Sequence, residues 1–309
     1  MNQGEIVTRL LNPKVSQEVT VFSIMRLDIP RQYIREYFRN TEGFMEIIFA
    51  QSFGKFSNPP RLEDIQTLIL IPEDLKAIKD CKVGDCDIKM PLQAMQRFQK
   101  EIDWSASGHE KHVNQLYKEM LVKYVQSYLT KGDAVLMEYR DQKYPLRLFD
   151  EFQDILNKSP YLFAYLPKLY RYLENYPKVE LPNGESRIYW AKDDLGAKRP
   201  VISVNHIIAY EPGTPGIEIV IASKQLYASH YYEASLGLTL LMDIPSETTE
   251  QEFDKPNLYL MYFNRSHLDV LRRTQLKFLR SGIKNGILEL AEQRLKSLKV
   301  KIESLYEAL

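Results

Sequence analysis

The spacing of apolar residues changes twice in the second half of the chain. Over 145–177 apolar residues recur every three or four positions, which predicts two amphipathic helices after a short strand at 133–139. Over 186–264 the period falls to two, which predicts a run of strands. From His267 the helical spacing returns and continues to the end. The predicted order is therefore a strand, two helices, several strands and one long helix.

Two turn-forming stretches divide the strand region. Residues 193–196 and 212–216 contain Gly together with Asp or Pro, a composition that favours tight turns. Because strands joined by short connections usually pair as antiparallel neighbours, an antiparallel meander is expected. The candidate strands are 187–192, 201–210, 217–227, 230–243 and 257–264.

The C-terminal helix carries a long apolar stripe, with Gly282 and Gly286 in its first half. At 1.5 Å per residue, a stripe of about 34 residues would extend roughly 50 Å. The two glycines allow close approach of a sheet or mark a kink. The near-heptad spacing of Leu288, Leu295 and Ile302 would also suit pairing with another helix. Packing against its own domain is the simpler explanation.

The first part of the chain mixes both spacings. Alternation predicts a strand over 18–29 and another over 63–71, and Gly132 fits the C-terminal cap of a helix. Three predicted helices of this part begin at Pro30, Pro72 and Pro91. A fourth, longer helix covers 109–129. We therefore expect residues 1–131 to form an N-terminal α+β extension and residues 132–309 to form the main domain.

Composition excludes several classes of protein. The 309 residues are 44% hydrophobic and 27% charged, as in a folded globular protein. Lys+Arg and Asp+Glu both number 41, so the basic excess of a nucleic-acid-binding protein is absent and no nucleic-acid partner is expected. No apolar run approaches the roughly 20 residues of a membrane-spanning helix. The glycine-rich nucleotide motifs, H-E-x-x-H and G-x-S-x-G do not occur, and no cofactor is expected.

The two cysteines, Cys81 and Cys86, are separated by four residues that include Gly84. A loop of this size can close as a disulfide, which would stabilise the fold by roughly 2 kcal/mol. Two cysteines so close together in the sequence, with none elsewhere, favour an oxidised pair in an exported protein. Two reduced thiols in a cytoplasmic protein are the alternative. The N-terminal residues lack a basic segment followed by an apolar one, so no signal peptide is expected within this chain.

His109 and His112 lie one helical turn apart, a spacing that places two ligands on one face of a helix. No third ligand is evident from the sequence, and paired histidines at the start of a helix are often ordinary surface residues. No metal site is therefore expected.

Tyrosine is abundant, at 20 residues, and accompanies histidine on neighbouring predicted strands. His206 and Tyr210 share a face of one strand, and His230 and Tyr232 share a face of another. If these faces meet, they form an apolar cavity with a few polar groups, which suits a hydrophobic ligand. His206 or His230 could then act as a general base. Alternatively, the tyrosines are ordinary strand residues and the histidines are structural. The candidate ligand-binding residues are Tyr189, His206, Tyr210, Tyr227, His230 and Tyr232.

Basic residues recur at three- and four-residue spacing along the start of the C-terminal helix. Such a stripe could contact an anionic membrane surface or an acidic partner, and a solvated helix face is the alternative. The residues of this stripe are Arg273, Lys277, Arg280 and Lys284.

The order of elements over 133–309 resembles the START-like, or polyketide-cyclase, helix-grip superfamily, and 278–284 looks like the start of its closing helix. The strings 81–89 and 222–239 are similar to those of a family of exported bacterial proteins with no settled activity. The helix-grip resemblance implies an α+β fold in which an antiparallel sheet wraps around the C-terminal helix. It also implies a deep apolar cavity between sheet and helix, often occupied by a lipid, sterol or polyketide.

These patterns lead to one functional hypothesis and two alternatives. The leading hypothesis is non-enzymatic binding or transport of a hydrophobic, lipid-like small molecule between the sheet and the C-terminal helix. The protein would be periplasmic or otherwise exported, with a cytoplasmic location as the alternative. A second hypothesis is a cyclase- or hydrolase-type enzyme that acts on a lipid or polyketide-like substrate with a histidine base. A third is an interaction module that docks a protein or membrane through the C-terminal helix.

Overall fold

A computed structural model of the protein describes residues 6–30, 33–35, 38, 43, 52–243, 258–273 and 277–307. The fold is α+β, with a large antiparallel sheet and a long C-terminal helix.

The described part of the sheet has eight strands, and every neighbouring pair is antiparallel. Their spatial order is β1-β2-β10-β9-β8-β7-β6-β3, so β10 lies between the early strand β2 and the late strand β9, and β6 to β10 form a meander. A separate hairpin is formed by β4 and β5. The strands are β1 (Val7–Leu11), β2 (Glu18–Leu27), β3 (Ser52–Lys55), β4 (Glu138–Tyr139), β5 (Leu146–Arg147), β6 (Gly184–Asp193), β7 (Val201–Tyr210), β8 (Ile217–Ala228), β9 (Tyr232–Asp243) and β10 (Leu258–Leu268).

The helices fall into two groups, one before the meander and one after it. Short 3-10 helices occur at Leu62–Ile65 and Gly132–Val135. The α-helices are α1 (Pro72–Asp80), α2 (Leu92–Glu101), α3 (His109–Lys131), α4 (Leu148–Asn157), α5 (Pro160–Tyr165), α6 (Pro167–Asn175), α7 (Asp269–Arg273) and α8 (Lys277–Glu307). None of the helices described is long and apolar enough to cross a membrane.

The sheet is covered by helices on both faces. On one face, α1–α3 pack over the β6–β8 region through a core that contains Trp190 and Val204, and α4–α6 continue this layer through Phe152. On the opposite face, the second half of α8 packs through Leu295 and Ile302. Strands β7 to β9 are covered on both sides, and each of them therefore carries apolar residues on both of its faces.

Local patterns predicted most of these elements. The strand at 201–210 and the helix that starts at 109 are confirmed, as is the cap at Gly132, which has a φ of 59°. The helix expected after Pro30 lies partly outside the described residues, although residues 33–35 are helical.

Several predictions of element type or boundary were wrong. Residues 63–71 contain a 3-10 helix and turns in place of a strand, and 133–139 begins in a 3-10 helix that ends at Val135 and has a strand only at Glu138–Tyr139. Residues 229–231 form a bend before β9, since Tyr231 has a φ of 60°. Strand β10 continues to Leu268, because its last residues pair with β2 and β9 beyond the predicted strand end.

Strands from both sides of the predicted domain boundary share one sheet, since β2 pairs with β10 and β3 pairs with β6. The boundary at residues 131 and 132 itself stays a prediction. The disulfide between Cys81 and Cys86 is present, with the two Cα atoms 4.5 Å apart. Its loop is held against the β4–β5 region, because the Cys86 amide donates to the Asp141 carbonyl.

Candidate functional site

A chamber of about 180 Å³ lies between the sheet and the middle of α8. Its floor is formed by β7, β8, β9 and β10, and its roof includes Ile287, Leu290 and Ala291 of α8. Both ends of α8 make apolar contacts with the rest of the fold. Between these contacts, the floor of the chamber is unusually polar. The polar floor residues are Ser203, Asn205, Ser223, Gln225, Ser235, Thr239 and Asn264.

Strand register brings these residues together, because directly opposite residues of paired strands share a face. Asn205 lies opposite Gln225 across β7 and β8. Ser223, Gly237 and Asn264 form one row across β8, β9 and β10. We name the seven polar floor residues the polar band.

Some members of the polar band hold each other in place. The Asn205 side-chain amide donates to Ser203 Oγ at 2.9 Å, and that of Asn264 donates to Ser235 Oγ at 3.1 Å. Ser266 Oγ, from the same face of β10, donates to Asn264 Oδ1 at 2.7 Å. These bonds fix the rotamers of both asparagines, so the band presents a defined set of polar groups.

Other members direct their polar atoms into the chamber. The side chains of Ser223, Gln225 and Thr239 line it and make no hydrogen bond to a described residue. Gly237 lies among them, and a Cβ placed there would be 3.4 Å from Asn264 Nδ2 and 3.8 Å from Ser223 Cβ. The missing side chain at Gly237 therefore helps to keep the chamber open.

Two charged residues, Asp193 and Arg294, line the chamber. Arg294 of α8 pairs with Asp193 at the end of β6. Burial raises the pKa of the Asp193 carboxyl, and the Arg294 guanidinium opposes that rise. Burial also raises the pKa of the nearby Tyr262 hydroxyl to about 12 and raises that of Tyr232, so both phenols are neutral.

A groove of about 790 Å³ adjoins the chamber along the first half of α8. Leu268, Val270 and Ile283 give it apolar walls and Gly286 lies on the helix side, while Asp194, Glu289 and Gln293 also line it. Four residues line both spaces, so the groove and the chamber adjoin along α8. These shared residues are Leu195, Tyr232, Ile287 and Leu290.

Tyr232 is the one member of the predicted ligand-binding set that lines this chamber. Tyr189 belongs to the same face of the sheet but is fully buried in the core under the second half of α8, next to Phe53.

Three of the predicted residues lie on the opposite face, under the first layer of helices. His206 Nδ1 lies 3.0 Å from the Tyr128 hydroxyl of α3. Burial, with a smaller contribution from Lys224, lowers the pKa of His206 to about 3, so this imidazole is neutral. Tyr227 has its hydroxyl 2.7 Å from that of Tyr117, and Tyr210 packs in the core beneath α4–α6.

His230 lies in the bend before β9, with Nε2 2.9 Å from the buried Asp74 carboxylate of α1. His206 and His230 are therefore separated, and the structure does not bring the two imidazoles into one cavity. Neither of them is among the residues that line the chamber.

The predicted basic stripe makes several contacts within the protein. Arg280 donates to the carbonyls of Leu271 and Ser16, and Arg273 lies 3.8 Å from the Asp141 carboxylate. Burial, followed by the neighbouring Arg280, lowers the pKa of Lys284. The side chain of Lys277 lies outside the described residues.

Sequence reasoning missed the polar band because it searched for histidine and tyrosine. The signal was present as small polar residues at alternate positions of otherwise apolar strands, such as Ser203 and Asn205 in β7. Sequence reasoning also missed Lys224 of β8, which is fully buried and pairs with Asp133.

No group of three or more metal-ligating side chains occurs among the residues that the structure describes. Comparison with protein-family models, with curated proteins and with solved structures finds no match to this chain.

Proposed function

We propose that the protein binds a small, lipid-like amphiphile between the sheet and α8, without catalysing a reaction. The observation that carries this proposal is the connection of a polar chamber with an apolar groove along the helix. Ligand sites typically combine apolar walls with a few placed polar groups, and this pair of spaces has both. The helix-grip resemblance points to the same region between sheet and helix.

The side chains around the chamber favour binding over catalysis. Its titratable residues, among those described, are Asp193, Arg294, Tyr232 and Tyr262. The first two neutralise each other, and the phenols are held in the neutral form. A general base near neutral pH would require a group with a pKa in that range, such as histidine.

We also propose that the protein is exported. The Cys81–Cys86 disulfide supports this location, since such bonds persist mainly in oxidising compartments.

Native mass spectrometry of gently purified protein tests the binding proposal. We expect a bound species of lipid-like mass that is released on unfolding. Gly237→Val should abolish it, because the added side chain points into the chamber. Gly282→Ala is the matched control, since a Cβ at Gly282 meets no atom within 4 Å and this residue does not line either space. A folded Gly237→Val variant that retains the bound species would contradict the proposed site.

A further inference from the structure

We infer that the chamber takes an uncharged polyol head, such as the glycerol of a monoacylglycerol, while a single acyl chain lies in the groove. This inference rests on the proposed function and specifies the ligand of the same site.

The charges around the chamber favour an uncharged head. The polar band consists of hydroxyl and carboxamide side chains, which carry no charge. The Arg294 guanidinium is already paired with Asp193. An ionised head would have to move from water into a chamber that offers it no free counter-charge. This transfer costs far more free energy than the transfer of a neutral hydroxyl.

Asp193 has one carboxylate oxygen that is an unused acceptor. Asp193 Oδ1 is buried and has no hydrogen-bond partner among the described residues, while Oδ2 pairs with Arg294. A hydroxyl that donates to Oδ1 would satisfy it. Because Asp193 and Arg294 already neutralise each other, neither an anionic nor a cationic head would find a net opposite charge there.

The donors and acceptors of the polar band match those of a polyol. The Gln225 carboxamide offers both an acceptor and donors, and the Ser223 and Thr239 hydroxyls each donate and accept. Partners that are both donor and acceptor suit adjacent hydroxyls of a polyol. A lone ether or ketone would leave some of these donors without a partner, at a cost for each buried group.

The size of the chamber suits a small head. A cavity of about 150 Å³ accommodates benzene, which has six non-hydrogen atoms. The chamber, at about 180 Å³, therefore fits a glycerol-sized head, whereas a second acyl chain would not fit beside it. The apolar groove then receives one chain, which passes Leu290 and Ile287 toward Ile283.

Isothermal titration calorimetry with three ligands of equal chain length tests the inference. The ligands are 1-decanoylglycerol, decanoate and decylamine, each below its aggregation concentration. We expect 1-decanoylglycerol to bind at least tenfold more tightly than the other two. Tighter or equal binding of decanoate or decylamine would overturn the uncharged head but leave the proposed function standing. If none of the three binds, the proposed function fails as well.

Substitutions in the polar band test whether the head of the ligand binds in the chamber. Gln225→Met keeps the shape of the side chain but removes the donor and acceptor atoms that it offers to the ligand. It should weaken 1-decanoylglycerol binding roughly tenfold, with little effect on decanoate binding. Ser223→Ala provides a second, smaller change in the same band. Gln115→Met on the exposed surface of α3 is the control. Unchanged selectivity in both folded chamber variants would place the head elsewhere and overturn the inference.

Discussion

The Tyr128 hydroxyl lies 3.0 Å from Nδ1 of His206, in a part of the core where both side chains are almost completely buried. The Tyr176 ring lies at 4.5 Å, centroid to centroid, from the same imidazole. His206 Nε2 has no partner among the described residues. The surroundings therefore favour the neutral imidazole, and its protonation opposes folding.

Stability should consequently fall as the pH drops below about 6.5. The pKa of His206 is lowered to about 3 in the folded protein, whereas an unfolded histidine titrates near 6.5. The unfolded chain therefore binds a proton first, and the free energy of unfolding decreases by up to about 1.4 kcal/mol per pH unit. Between pH 7 and pH 5, His206 should cost about 2 kcal/mol.

Urea unfolding at pH 7 and pH 5 measures this dependence. His206→Gln cannot titrate, so its loss of stability over the same range should be smaller than that of the wild type by that amount. His112→Gln, at an exposed position of α3, is the control. Equal pH dependence in the wild type and His206→Gln would show that His206 is not held neutral.

The Lys224–Asp133 pair predicts a second effect on stability. Burial lowers the pKa of Lys224 to about 8, against the opposing charge of Asp133. Lys224→Met would leave the buried carboxylate without its partner, which typically costs about 3–5 kcal/mol. Adding Asp133→Asn should recover part of this loss, because it removes the uncompensated charge. In denaturant unfolding, the double variant should be more stable than Lys224→Met. Lys100→Met, at an exposed position, is the control and should be about as stable as the wild type.

Reduction of the disulfide should lower stability modestly. The Cys81–Cys86 bond closes a short loop, for which the chain-entropy estimate is about 2 kcal/mol. Unfolding of Cys81→Ala/Cys86→Ala should show this decrease, and reductant should affect the wild type but not the variant. A variant as stable as the oxidised wild type would contradict this role.

Gly132 is expected to tolerate no side chain. Its φ is 59°, and a Cβ there would lie 1.8 Å from the Tyr176 carbonyl oxygen. Gly132→Ala should destabilise the fold by more than about 2 kcal/mol, since steric overlap adds to backbone strain. Gly282→Ala, inside α8, should instead be neutral or stabilising, because alanine favours a helix over glycine. Thermal unfolding of the two variants distinguishes these outcomes.

The chain's local patterns were sufficient to predict most individual elements. Alternation over 201–210 predicted β7 to the residue. The helical pattern from His267 predicted α7 and α8, but its first two residues, His267 and Leu268, belong to β10. The error at 63–71 arose because a short apolar run has no reliable period. The spacing of Cys81 and Cys86 was enough to predict their disulfide, because closure of so short a loop is a local event.

The site depended on relationships that no single segment contains. The sequence alone determined that His206 and Tyr210 share a face of β7, but not which layer of helices covers that face. Likewise, Ser223, Gly237 and Asn264 form a row only because three strands pair in one register. The tertiary structure decided both points, because sheet register and helix packing join residues far apart in the chain.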